Sequence, residues 1–127
     1  MRDDFAGRPT VLVVDDDEFV REVVGEMFDS LGYACLNAAS GPEALRVLSN
    51  FPEVDLLFAD VRMPGGMSGV DLARAARRLR PDLPVILSSA WTAGSTVPDG
   101  IPFLQKPYRL QDLVALVGRA HNGASVD

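Results

Sequence analysis

Short uninterrupted apolar runs alternate with amphipathic segments of helical period along almost the whole chain, and this alternation restricts the fold more than any other feature. Thr10 to Val14 is a continuous apolar run, the pattern of a strand buried on both faces. Glu18 to Leu31 follows, with Val20, Val23, Val24, Met27 and Leu31 on one helical stripe and Gly32 at its end. Tyr33 to Ala38 reads as a second strand. Ser40, Gly41, Pro42 and Glu43 then open a helix with a capping-box pattern, and Ala44, Leu45, Val47, Leu48 and Phe51 supply its apolar residues. Asp55 to Ala59 is a third buried run. Ser68 and Asp71 cap the next helix, whose stripe is Leu72, Ala75, Ala76 and Leu79. Val85 to Ser88 and Ile101 to Gln105 are the fourth and fifth strands, and Arg109 to His121 is the last helix.

Strands alternating with helices predict a parallel sheet covered on both faces, with right-handed crossovers. Five strands fit the flavodoxin-like doubly wound order 2-1-3-4-5, an α/β class in which ligands bind beyond the carboxyl ends of the strands, at the switch point between strands one and three. The 127 residues suit one domain, placed at 9–121, with 1–8 and 122–127 as flexible ends. One cysteine, Cys35, excludes a disulfide framework. The N-terminus lacks the apolar core of a signal peptide, and the apolar runs are too short to span a bilayer, so a cytoplasmic, membrane-free protein is expected. A net charge of -6 argues against a nucleic-acid partner.

The residues after each strand carry the chemistry. Asp15, Asp16 and Asp17 follow the first, Asp60 the third, Ser89 the fourth, and Lys106 with Pro107 the fifth. Lys106 is the only lysine of the chain. Each has an ordinary reading alone: a helix cap, a turn residue, a strand-end hydroxyl, a solvated amine. Together they form a complementary set at one crevice. Carboxylates brought together repel, and bind a cation or take up protons. Oxygen donors without His or Cys favour Mg2+, which binds through carboxylates and phosphate. One carboxylate serves as a nucleophile for a phosphoryl group, with the lysine and the hydroxyl stabilising its oxygens.

The ordered segments Val11 to Asp16, Asp55 to Pro64, Pro84 to Ala90 and Phe103 to Pro107 resemble the receiver domain of two-component response regulators, including the single-domain chemotaxis type. The resemblance covers about residues 9 to 120. It implies that Asp60 is the phosphoacceptor and that Asp15, Asp16, Asp60 and the backbone carbonyl of Arg62 hold Mg2+. Lys106 and Ser89 then bind the phosphoryl group, Ser89 and Phe103 form the switch, and the Lys106–Pro107 peptide is a candidate for the cis form. Implied partners are a histidine kinase or histidine phosphotransfer protein as donor and a downstream protein as target. The chain is expected to act without an output domain, as a signalling receiver that catalyses its own phosphorylation and dephosphorylation, or else to be a receiver cut from a hybrid kinase.

Three departures stand out. The loop from Pro64 to Gly69 is longer than usual and resembles that of hybrid histidine kinase receivers. Ser89 replaces the commoner Thr. The stretch from Ser89 to Lys106 is short and rich in Gly and Pro, so the fourth helix of the family is expected to be short, displaced or missing. The competing readings are a pseudo-receiver that binds proteins without phosphate, and a small Mg2+-dependent phosphatase of the haloacid-dehalogenase type using Asp15 and Asp17. Arg74, Arg77, Arg78 and Arg80 read as a solvated helix face, with a docking patch as the alternative; Phe19 as an off-stripe, partly covered side chain or, as the resemblance implies, a kinase contact; Cys35 as buried on strand two; and Trp91 either as packing over a loop or as flanking the mouth of the site or a partner surface.

Overall fold

The computed structural model describes residues 7–63, 66–89, 101–106 and 108–126, with side chains up to 118. Five strands form one parallel sheet in the order β2-β1-β3-β4-β5, and four helices are present among the described residues. The elements are β1 (Thr10–Val14), α1 (Glu18–Ser30), β2 (Ala34–Ala38), α2 (Gly41–Asn50), β3 (Val54–Asp60), α3 (Gly69–Leu79), β4 (Val85–Ser89), β5 (Phe103–Gln105) and α4 (Leu110–Val126). The predicted fold class and strand order are observed. The expectations for Trp91, for the fourth helix of the family and for Pro107 fall on residues outside those described.

The period of two decides which side each strand residue serves. Val11 and Val13 pack with Val24 and Phe28 of α1 and Leu113, Leu116 and Val117 of α4. Leu12 and Val14 pack with Ala44 and Leu48 of α2 and Leu72, Ala73 and Ala76 of α3. All five residues of β1 are buried, as a central parallel strand requires. In β3 the phase slips once. Thr10 pairs with Val54 but Val11 with Leu56, so Asp55 forms a bulge. Val54 therefore faces α2 and α3, whereas Leu56 and Phe58 face α1 and α4.

The caps are local chemistry. Asp17 accepts from the amides of Phe19 and Val20 at 2.9 and 3.3 Å and starts α1. Ser68 and Asp71 form the predicted reciprocal box at α3. At α2 the box is displaced: Ser40 Oγ accepts from the Glu43 amide, but the Glu43 carboxylate reaches the amide of Ala39, one residue earlier.

The predicted stripes need correction at their margins. Phe28, omitted from the α1 stripe, is fully buried and meets Tyr33 and Phe58 edge-to-face. Val23, Phe51 and Leu79 are exposed because their turns lie at the edges of the covered faces. Of the arginines read as solvated, Arg74 and Arg78 are exposed, but Arg77 Nε and Arg80 Nη1 are shielded from solvent, since their stems lie along the protein surface. Cys35 is half-buried, its thiol directed at the Gly25 carbonyl. The helix α4 continues past His121 to Val126.

Candidate functional site

Parallel strands deliver their carboxyl ends to one rim, and hydrogen bonds across the strand ends bind that rim together. Asp60 lies in register with Ser88, and the Val61 amide donates to the Ser88 carbonyl at 2.8 Å. The Lys106 amide donates to the Ser89 carbonyl at 2.9 Å. The Asp15 amide donates to the Ala38 carbonyl at 3.2 Å. Thus β1, β3, β4 and β5 present their terminal residues side by side.

The carboxylates gather there. One oxygen each from Asp15, Asp16 and Asp60 lie within 4.8 Å of one another. Lys106 Nζ stands 3.5 Å from Asp15 Oδ2 and 3.7 Å from Asp60 Oδ2. Asp15 is buried, Asp60 partly so, and Asp16 exposed. Burial pushes the Asp60 pKa up; the Lys106 ammonium pulls it down, Asp15 and Asp16 add to the rise, and the Arg62 amide, 3.4 Å from Oδ1, opposes it. The site gathers like charges with one ammonium beside two of them.

The donor set fits a small hard cation. Three oxygens on one Mg2+ lie at most about 4.2 Å apart. A trio within 4.8 Å is close to that reach, with room for one carboxylate to act through water. Among the described residues the cluster consists of carboxylates alone, and Cys35 lies on β2.

Ser89 is buried at the end of β4, two residues after Leu87 and so on the same face. Phe103 pairs in register with Leu87 and packs, half-buried, on the α2–α3 side of the core. The two residues predicted as a switch thus share one face of adjacent strands.

Two residues escaped the sequence reading. Arg21 on α1 donates from Nη1 to the Asp15 carbonyl at 2.6 Å. Tyr108 contacts Phe58 edge-to-face, with ring centroids 6.3 Å apart, and lies near enough to the acidic cluster to feel it. Burial, then the charges of Asp15 and Asp60, push its phenol up to about 12. Its position directly after the strand-five lysine and proline was the available signal. An apolar groove of about 300 Å³ adjoins the site, lined by Phe19, Val20, Val23, Val24, Met27, Lys106 and Tyr108. Phe19 is 71% exposed at its edge.

Residues 11–118 match the family described as response regulator receiver domain. The chain belongs to that receiver family. Among curated relatives, the DNA-binding transcriptional regulator NtrC of Escherichia coli K12 is 36% identical over 118 residues, 89% of this chain and 25% of that protein. The sensor kinase CckA of Brucella abortus is 36% identical over 121 residues, 90% of this chain and 13% of that protein. The receiver therefore spans a quarter or less of these relatives. Among solved structures, the receiver domain of the hybrid histidine kinase CckA aligns with a TM-score of 0.74 at 34% identity, covering 87% of this chain and 97% of that one. A response regulator receiver protein from Pseudomonas putida aligns with a TM-score of 0.74 at 32% identity, covering 89% and 98%. Receiver domains are modules of two-component signalling. Among the described residues no helix is long and apolar enough to cross a membrane.

Proposed function

We propose that this receiver accepts a phosphoryl group on Asp60 from a phosphohistidine of a histidine kinase or phosphotransfer protein, and that the modification changes its binding to a downstream protein. One observation carries the reading: Lys106 Nζ bridges Asp15 and Asp60 within a trio of carboxylates whose oxygens lie within 4.8 Å of one another. An Asp60 oxygen attacks phosphorus, and the bond to the donor imidazole nitrogen breaks with its electron pair left on that nitrogen. Lys106 then exchanges its Asp60 contact for one with the new anionic oxygens, and Ser89 donates to another. Asp15, Asp16, Asp60 and the Arg62 carbonyl are the residues to hold Mg2+, which supplies charge neutralisation when bound.

The added charge draws Ser89 toward Asp60, and Phe103, on the same face one strand away, moves into the space released. The donor docks on the apolar groove between α1 and Tyr108, which shares Lys106 with the acceptor pocket. A donor seated there with Phe19 at its edge brings its phosphohistidine to Asp60.

The phosphatase reading loses its second acid, because Asp17 is engaged as the cap of α1. The test is intact mass after incubation with Mg2+ and acetyl phosphate. One added phosphoryl group, absent in Asp60→Asn and in EDTA, is expected. No addition from acetyl phosphate or from a panel of phosphorylated kinases means a pseudo-receiver.

A further inference from the structure

We propose that Arg21 is a positioning residue for the divalent-ion site, acting through the backbone of Asp15. The inference rests on the reading above that the carboxylate trio holds a divalent cation. Each polar group of Asp15 has a partner. Its amide donates to Ala38 O at 3.2 Å, its Oδ1 accepts from the Asp17 amide at 2.9 Å, and its Oδ2 faces Lys106 at 3.5 Å. The fourth contact is different in kind. The Asp15 carbonyl accepts from Arg21 Nη1 at 2.6 Å, a short charge-assisted bond that ties the turn to the body of α1.

That carbonyl and the amide of Asp16 belong to one rigid peptide plane. Holding the oxygen fixes the rotation of the plane, and with it the direction in which the exposed Asp16 carboxylate leaves the backbone. Asp15 is already held by burial and by three other contacts. Asp16 is the member of the trio whose aim depends most on its backbone. Arg21 is itself half-buried, so its guanidinium is partly withdrawn from competition with water. Partners that orient metal ligands from outside the first layer commonly govern affinity tenfold or more.

A cation beside a cation site also repels the bound ion, so the two roles differ in sign. If Arg21 acts only as charge, removing it tightens metal binding. If it positions Asp16, removing it weakens binding despite the lost repulsion. The experiment is Mn2+ titration of the intact chain, followed by water-proton relaxation, on wild type, Arg21→Met and Arg21→Lys, with thermal melts alongside. Arg21→Met is expected to raise the Mn2+ Kd about tenfold. Arg21→Lys keeps the charge but loses the planar fork, and is expected to raise it about twofold to threefold. An unchanged or lower Kd in folded Arg21→Met overturns the proposal. Should that variant be unfolded at the assay temperature, Arg21→Lys decides, and a wild-type Kd there overturns it. A second readout is the Mg2+ concentration for half-maximal labelling by acetyl phosphate, which is expected to rise in step with the Kd while the rate at saturating Mg2+ stays near wild type. Failure of the wild type to bind Mn2+ overturns the metal reading itself and is recognised by being independent of Arg21.

Discussion

Asp55 and Asp60 lie on the same strand and at its opposite ends, yet their surroundings assign them different work. Asp55 is exposed in the bulge, and its Oδ2 accepts from the Thr10 amide at 2.8 Å. It is a carboxylate given a backbone partner. Asp60 is partly buried, faces Asp15 and Asp16, and has Lys106 at 3.7 Å and a long bond from the Arg62 amide. The amino ends also carry the roomier cleft, about 760 Å³, lined by Arg8, Asp55, Arg80 and Asp82 among others. Charges of both signs mix there, and Arg8 is anchored by Asp29 and by the carbonyls of Gly32 and Tyr33. Size alone is therefore a poor guide to chemistry in this molecule. What separates the two poles is uncompensated like charge, concentrated where parallel strands all end.

The comparison breaks most directly at the acceptor. Asp60→Asn is expected to abolish phosphoryl uptake from acetyl phosphate, whereas Asp55→Asn keeps it, as read by intact mass. Uptake lost equally in both would remove the distinction between the poles.

Next in size is the packing that holds the Asp60 end. A Cβ on Gly69 would lie 2.2 Å from the Asp60 carbonyl oxygen and 2.8 Å from Val61 Cα, so α3 approaches the acceptor strand backbone to backbone. Gly69→Ala is expected to cost about 3 kcal/mol in urea denaturation. Gly118 on α4 meets nothing within 4 Å, and Gly118→Ala is expected to stabilise by about 1 kcal/mol.

A smaller effect sharpens the electrostatic contrast. The Asp60 pKa is raised by burial, so the folded state prefers its protonated form. Stability contributed by that preference is complete below the ordinary value of 3.8 and is lost as pH rises through the raised value. In EDTA at neutral pH, Asp60→Asn should therefore melt above wild type. The advantage should shrink as pH falls, and thermal melts from pH 7 to 3 are the measurement. An advantage independent of pH would assign it to something other than charge.

The smallest effect is spectroscopic. Ultraviolet titration should place ionisation of Tyr108 at about 12, and Asp60→Asn should lower it, because the Asp60 charge adds to the burial. No movement on removing Asp60 would mean that burial alone sets it.

Much of this was legible along the chain. The five strands, the caps Asp17 and Ser68, and the polar residues at each strand end could be read from runs, periods and short-range spacing. The recurrence of Asp15, Asp16, Asp60, Ser89 and Lys106 at strand ends pointed to one rim, where the carboxylates and the lysine do meet. The margins were less legible. Phe28 sits beside the predicted stripe of α1, and only the aromatic cluster with Tyr33 and Phe58 makes it central. Leu79 matches the period of α3 but projects past the cover. Arg21 carried no local pattern that distinguishes it from a surface arginine, and Tyr108 only its place directly after the strand-five lysine and proline.

The sequence by itself determined the alternation of elements, their caps and the chemical set of groups at the rim, because backbone dihedrals, capping bonds and side-chain periods act over a few residues. The tertiary structure alone decided the phase and the distances. The bulge at Asp55 shifts β3 by one residue, and a shift of one exchanges the faces of everything beyond it, including the approach to Asp60. The contact of Arg21 with Asp15, the place of Tyr108 beside the acids and the raised pKa of Asp60 follow from packing distant segments together. Burial and Coulomb interaction depend on separation in space, which short-range pattern does not encode.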